Sequence, residues 1–243
     1  MSLAQTLSVA LLYLYGMVLN DVVDEPRDRI HKPKRPLPAG EISKTAALVF
    51  CILLAIFAFV FQPGSPPVFY LWILITAYTF LKDVNVWLGA VLMASCRVCV
   101  LWIGAGAPSA WKPLLPLFVL WGLLILGITL MADREKRETV WSTQGAAALT
   151  LLWLAAPLLA LTLGHPRYLV FFPWVMLAVL GFQNFVQIKH QGEMHPRNTG
   201  QWLSMLIPLQ AAFLFALAPI WQGILILCLW PLLRWSIRKM QIS

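Results

Sequence analysis

The chain predicts an all-α fold, a polytopic bundle of about eight or nine transmembrane helices, on three observations. Of its 243 residues 60% are hydrophobic and 12% are charged, with a mean hydropathy of +0.77. The apolar residues gather in runs of roughly 16 to 21, the length a helix needs to cross the hydrocarbon core. Charge falls between those runs or at their edges, and of the 18 Lys and Arg only Arg97 lies in the interior of one.

The runs follow in order. The first, 3–19, begins Met1-Ser2-Leu3-Ala4-Gln5 with no basic leader, unlike a cleavable signal peptide. A charged connection, Asn20–Lys44, leads to 45–61 and, through the Pro-punctuated turn Gln62–Pro66, to 67–82. Spans at 86–104 and 113–132 come next, then the charged Asp133–Thr143. Spans 143–163 and 168–187 meet at His165-Pro166, and Ile188–Gln201 leads into 202–218 and 220–236. No linker, repeat or low-complexity segment interrupts them, so residues 1–243 read as a single domain.

Cytoplasmic loops of membrane proteins carry the Lys/Arg excess. With Asn20–Lys44 inside, 15 basic residues are cytoplasmic and only Lys112 and Arg167 lie outside. All ten acids fall on the same face, which places the polar mouth of the bundle in the cytoplasm. The net charge of +8 is then an orientation signature that suits anionic lipid headgroups, not a nucleic-acid footprint. In a bacterium such a chain belongs in the cytoplasmic (inner) membrane. Cys51, Cys96, Cys99 and Cys228 all sit in spans, which argues against a disulfide framework, and Cys96 and Cys99 at i, i+3 read as small packing residues rather than ligands.

The chemistry-bearing stretch is Asn20-Asp21-Val22-Val23-Asp24-Glu25-Pro26-Arg27-Asp28, followed by Lys34-Arg35-Pro36-Leu37-Pro38-Ala39-Gly40. Mg2+ takes hard oxygen ligands, one or two carboxylates together with substrate phosphates. On a helix Asn20, Asp24 and Asp28, or Asp21, Asp24 and Asp28, would share one face. Pro26 removes the bond to Val22 and biases Glu25 away from the helical region, which predicts a break near Asp24–Pro26 with Asp28 on a following turn. The competing reading is a solvated helix end where acids face bases, worth little energetically.

These residues resemble the UbiA superfamily of intramembrane prenyltransferases. Asn20 to Asp28 is similar to that family's N-D-x-x-D-x-x-x-D motif, and Arg35 to Gly40 to its R-P-L-x-x-G. Tyr78-Thr79-Phe80-Leu81-Lys82, followed by Asn85 and Gly89-Ala90, looks like its Y-x-x-x-K segment, and Leu130 to Glu138 resembles its second aspartate motif. The resemblance implies a Mg2+-dependent enzyme that transfers the prenyl group of a polyprenyl diphosphate to an aromatic or other lipophilic acceptor within the lipid bilayer, releasing diphosphate. It implies that Asn20 and Asp24, with Asp21 beside them, ligate a first metal while Asp28 assists, and that Asp133 ligates a second. Arg35, Lys82 and Tyr78 would serve the diphosphate, a task that calls for cations in any setting.

Three departures stand out, one of them an extra span after the second motif. Arg137 occupies the position of the second motif's next aspartate, so Glu135 or Glu138 would replace it as ligand, or Arg137 would neutralise the diphosphate directly. The family's usual first helix is also expected to be missing. Arg97, near mid-span, should face the bundle interior and an anionic partner such as the diphosphate, or else bond a helix carbonyl or Asn. Met93 to Arg97 is similar to a UbiA-like subgroup associated with ebo gene clusters. Most Trp and Phe read as interfacial or lipid-facing, and Gln183, Asn184 and Gln187 as cavity lining or helix–helix contacts in equal measure. The rival function is a non-catalytic protein that binds or carries a lipid diphosphate or a secondary-metabolite precursor, favoured by Arg137. A phosphoalcohol transferase is set aside because Glu25-Pro26-Arg27-Asp28 follows Asp24 where D-G-x-x-A-R would need other residues.

Overall fold

The computed structural model describes residues 2–105, 115, 118–130, 175–183, 186, 205–211 and 223–231, and every regular element among them is helical. The chain forms two compact units, Met1–Lys112 and Pro113–Ser243.

The first unit holds four helices: α1 (Leu3–His31), α2 (Lys44–Phe61), α3 (Pro66–Leu81) and α4 (Val86–Ala105). Ser2 starts α1 with a capping box, its hydroxyl accepting from the Gln5 N–H while the Gln5 side chain accepts from the Ser2 N–H. Ser43 caps α2 by accepting from Ala46 N–H at 3.1 Å, and prolines at the first positions of α3 supply the pre-set φ that a helix start favours. Expected and observed limits of α2, α3 and α4 agree to within a residue.

The first helix differs from expectation. It runs 29 residues, about 43 Å at 1.5 Å per residue, and passes through Pro26 without the break expected near Asp24–Pro26. Asp28 therefore stays on the same helix rather than on a following turn, and the connection begins only at Lys32. Proline removes one bond, Pro26 N to Val22 O, and the proline ring itself faces outward. Ties on both sides offset the loss: Glu25 pairs with Arg29 one turn on, and Arg35 reaches both Asp21 and Asp28 across the proline.

Packing follows from residue size and spacing. The buried stripe of α1 is Ser8, Leu12, Tyr15, Leu19 and Val22, at steps of three and four, and it continues into Glu25 and Asp28. On α2 the matching stripe is Ala47, Cys51, Leu54 and Ala58. Gly16 brings α1 against α3: a Cβ there would lie 2.7 Å from Ile75 Cγ2. Several polar side chains in the core are paired, while Trp72 Nε1 is buried without a hydrogen-bond partner among the described residues. Ser8 Oγ donates to Ala58 O at 2.9 Å, Tyr15 and Thr76 hydroxyls meet at 2.9 Å, and Gln5 Nε2 donates to Ile103 O at 3.2 Å. Cys96 and Cys99 are free thiols within the core of Leu12, Val68 and Leu71, as packing residues should be.

The outward faces are apolar. Leu48, Val49, Phe50, Ile52, Leu53, Ile56, Phe57 and Val60 of α2 are all exposed, as suits lipid rather than water. Among the described residues α1, α2 and α4 are long and apolar enough to cross a membrane, and α3 is a shorter apolar helix.

In the second unit, Phe118–Leu130, 175–183, 205–211 and 223–231 are helical, each inside one of the expected spans. Leu124, Leu177, Met205 and Leu209 are fully buried. The expected span 143–163, the stretch Asp133, Glu135, Arg137 and Glu138, and Asn184 and Gln187 lie outside the described residues.

Candidate active site

The polar end of α1 presents its oxygens over an arc of one helix face, because Asn20, Asp21, Asp24 and Asp28 are separated by one, three and four residues. Two cations from elsewhere in the chain divide them. Lys82, at the C-cap of α3, brings its Nζ to Asp24 Oδ2 at 2.6 Å and to Asn20 Oδ1. Asn20 Nδ2 donates in turn to Asp24 Oδ2 at 3.0 Å. Both partners are nearly enclosed, the Lys82 side chain 12% and the Asp24 side chain 11% exposed. The second cation, Arg35, sends one Nη1 to Asp28 Oδ2 at 2.6 Å and to Asp21 Oδ1 at 3.3 Å, with the Asp28 side chain only 5% exposed. The four residues of the two alternative trios thus divide into two pairs, Asn20 with Asp24 on Lys82 and Asp21 with Asp28 on Arg35.

Local structure explains both cations. Residues 32–41 fold into successive turns, with Ala39 N donating to Arg35 O at 2.8 Å and Glu41 N to Pro36 O at 3.0 Å. Gly40 closes them at φ +78°, a backbone region that costs glycine nothing, so the spacing from Arg35 to Gly40 has a conformational reason. Lys82 is fixed by its N–H bond to Tyr78 O at 2.9 Å and by the start of α4, where Asn85 Oδ1 accepts from Trp87 N at 2.8 Å. Asp83 pairs loosely with Arg27 at 3.8 Å across to α1. Tyr78, half-buried, stands one turn before Lys82 on α3.

The donor chemistry suits a magnesium ion. Asn20 Oδ1 and Asp24 Oδ2 already converge on one positive group, the Lys82 ammonium, and two oxygen donors leave room for the waters and phosphate oxygens Mg2+ retains. Among the described residues no cluster of three or more His, Cys, Asp or Glu is disposed to hold a metal.

Two residues call for separate mention. Arg97 has no ion-pair partner among the described residues, while both it and Asp24 act electrostatically on Tyr78. Arg97 is exposed, with its guanidinium carbon 6.0 Å from the centre of the Tyr13 ring. Tyr13 lies eleven residues before Asp24 on α1, roughly 16 Å along the axis. Glu25 went unassigned beyond its place in the acidic run, yet it is buried, paired with Arg29 and 3.8 Å from Lys44 Nζ. The i,i+4 spacing of Glu25 and Arg29 was the signal available for half of that arrangement.

A bundle of apolar helices carrying a caged set of oxygens and cations at one helix end defines an integral membrane protein built around an ionic, oxygen-rich site. The chain belongs to the UbiA prenyltransferase family, whose family profile matches residues 2–206. Short stretches are similar to digeranylgeranylglyceryl phosphate synthases. The match to that of Methanocaldococcus jannaschii is 48% identical over 46 residues, 19% of this chain and 16% of that one. To that of Sulfolobus acidocaldarius it is 48% over 48 residues, 20% of this chain and 18% of that one. These matches thus span less than a fifth of the relatives' length. A solved structure described as giving "structural and mechanistic insights into the biosynthesis of Digeranylgeranylglyceryl phosphate synthase in membranes" superposes with a TM-score of 0.63. It shares 20% identity and covers 88% of this chain and 82% of its own. At that identity the likeness establishes the fold.

Proposed function

We propose that this chain is a Mg2+-dependent prenyltransferase that moves a prenyl group from a polyprenyl diphosphate to a lipophilic acceptor within the bilayer. The observation that carries this reading is the pair of cations, Lys82 and Arg35, poised among Asn20, Asp21, Asp24 and Asp28 at the end of an apolar helix. Asn20 and Asp24 would hold the metal, with Asp21 and Asp28 beside them; the ion would withdraw charge from the diphosphate. Lys82 and Arg35 turn from their carboxylates to the diphosphate oxygens, where charge-assisted bonds stabilise the negative charge that grows as the leaving group departs. The allylic C–O bond breaks with its electron pair going to the diphosphate. The acceptor bonds the freed carbon and gives up a proton, and the apolar helices keep water from capturing the cation first.

Around this core the proposal has Asp133 and either Glu135 or Glu138 hold a second metal, with Arg137 and Tyr78 on the diphosphate. The whole of 1–243 forms one bundle of eight or nine spans with its mouth in the cytoplasm, supported by the Lys/Arg asymmetry. In a bacterium the site is the inner membrane. The acceptor is aromatic on the sequence resemblance, while the relatives' name points to a glyceryl phosphate. The second reading, a carrier or binding protein for a lipid diphosphate, rests on the cation at Arg137.

The test is diphosphate release from labelled farnesyl and geranylgeranyl donors by purified protein, with aromatic and glyceryl phosphate acceptors, with and without Mg2+, beside Asp24→Asn. Prenylated product that needs Mg2+ and vanishes in the variant supports the enzyme. Donor binding without release for every acceptor would replace it with the carrier.

A further inference from the structure

Gly89 lies in the first turn of α4, and its Cα faces the backbone of Lys82 rather than a side chain. A Cβ placed there would stand 2.9 Å from the Lys82 carbonyl oxygen and 3.2 Å from the Lys82 Cα. Neither atom is the far end of a flexible chain, so α4 or Lys82 itself would have to shift. The contact is tied down from the other side. Gly89 N donates to Asn85 O at 2.9 Å, Asn85 Oδ1 accepts from Trp87 N at 2.8 Å and Leu88 N at 3.4 Å, and Val84 N donates to Leu81 O at 3.1 Å. The α3–α4 turn is therefore pressed onto α4 at the residue whose ammonium reaches Asp24 and Asn20.

We infer that Gly89 is a positioning residue for diphosphate binding: its missing side chain lets α4 close on the Lys82 backbone and so sets where the Lys82 ammonium stands. This deepens the proposed function and rests on it, since Lys82 must serve the diphosphate for its placement to matter. The need for glycine here is a matter of space, because Gly89 is not in a left-handed conformation, unlike Gly40 and Gly64.

A double-mutant cycle on the full-length, detergent-purified chain tests the inference, reading inorganic pyrophosphate affinity in Mg2+ by titration calorimetry, with melting temperature alongside. Lys82→Gln removes a charged hydrogen-bonding group and should weaken pyrophosphate about tenfold or more. Gly89→Ala should weaken it about threefold or more alone, yet by less than about twofold in the Lys82→Gln background, because a residue acting through Lys82 has nothing left to act on. Asn85→Ala loosens the same turn without adding bulk and should follow the same pattern, which covers the case of Gly89→Ala failing to fold. Equal losses from Gly89→Ala with and without Lys82 would reveal a general structural role and overturn the inference. So would unchanged affinity in Gly89→Ala while Lys82→Gln binds weakly, leaving the site reading in place. Unchanged affinity in Lys82→Gln would bring down both together.

Discussion

Removing the Lys82 ammonium should expose how the oxygens of α1 are balanced. Asp24 is 11% exposed on its side chain and, among the described residues, keeps the Asn20 amide at 3.0 Å once Lys82 is gone. Breaking a buried ion pair from one side costs roughly 3–5 kcal/mol, and the surviving amide bond puts Lys82→Met at about 3 kcal/mol. The same change frees two oxygens that now converge on one positive charge. Added Mg2+ should therefore restore part of the loss, by about 2.7 kcal/mol when the free ion stands at 100 times its dissociation constant. The assay is thermal melting in detergent in EDTA and across a Mg2+ series. The wild-type chain should shift little with Mg2+ alone, Lys82→Met should melt lower in EDTA and climb with Mg2+, and Lys82→Met with Asp24→Asn should lose the climb. A variant that melts with the wild type in EDTA, or one lowered but indifferent to Mg2+, would refute the reasoning.

Other substitutions separate buried from exposed charge and test the long helix. Arg35→Ala leaves the enclosed Asp28 carboxylate unpaired and should cost about 3–5 kcal/mol by chemical or thermal unfolding. Arg27→Ala, which breaks a 3.8 Å pair with both side chains more than half exposed, should change stability by no more than about 1 kcal/mol in the same assay. Pro26→Ala restores a bond to Val22 O and should raise stability by about 2 kcal/mol, the interior proline penalty less the entropy proline removes from the unfolded chain; an unchanged or lowered melting temperature would count against the uninterrupted α1. Gly16→Ala should cost about 1–3 kcal/mol by overpacking, and the cost should shrink when combined with Ile75→Ala, which removes the methyl it meets.

What the sequence disclosed and what it hid divide along physical lines. Apolar runs bounded by caps, prolines and glycines mark α2, α3 and α4 to within a residue, because insertion length and turn chemistry are local. Pro26 misled for the opposite reason: its local penalty is offset by Arg35, whose reach to Asp21 and Asp28 depends on how residues 32–41 fold. Spacing alone placed the oxygens of the site on one face. It could not show that Lys82, 58 residues from Asp24, would stand among them; only the motif resemblance brought those residues into one account. Arg97 shows the limit from the other side. Its rarity as a charge in an apolar span drew attention to it, but Tyr13, whose ring lies 6.0 Å from its guanidinium carbon, is on another helix and left no mark in the sequence around Arg97.

The unbroken α1 joins an apolar stretch through Leu19 to the polar turns that carry Asn20, Asp24 and Asp28, with no hinge between them. The height of the acids relative to the lipid is therefore a matter of ruler length: about 26 Å of apolar helix against a hydrocarbon core of about 30 Å. A thicker bilayer must draw the acids toward the oil, tilt the rod upright or thin the surrounding lipid. Acyl-chain length in reconstituted vesicles thus becomes a control on the ionic site, acting through mechanics with no residue changed.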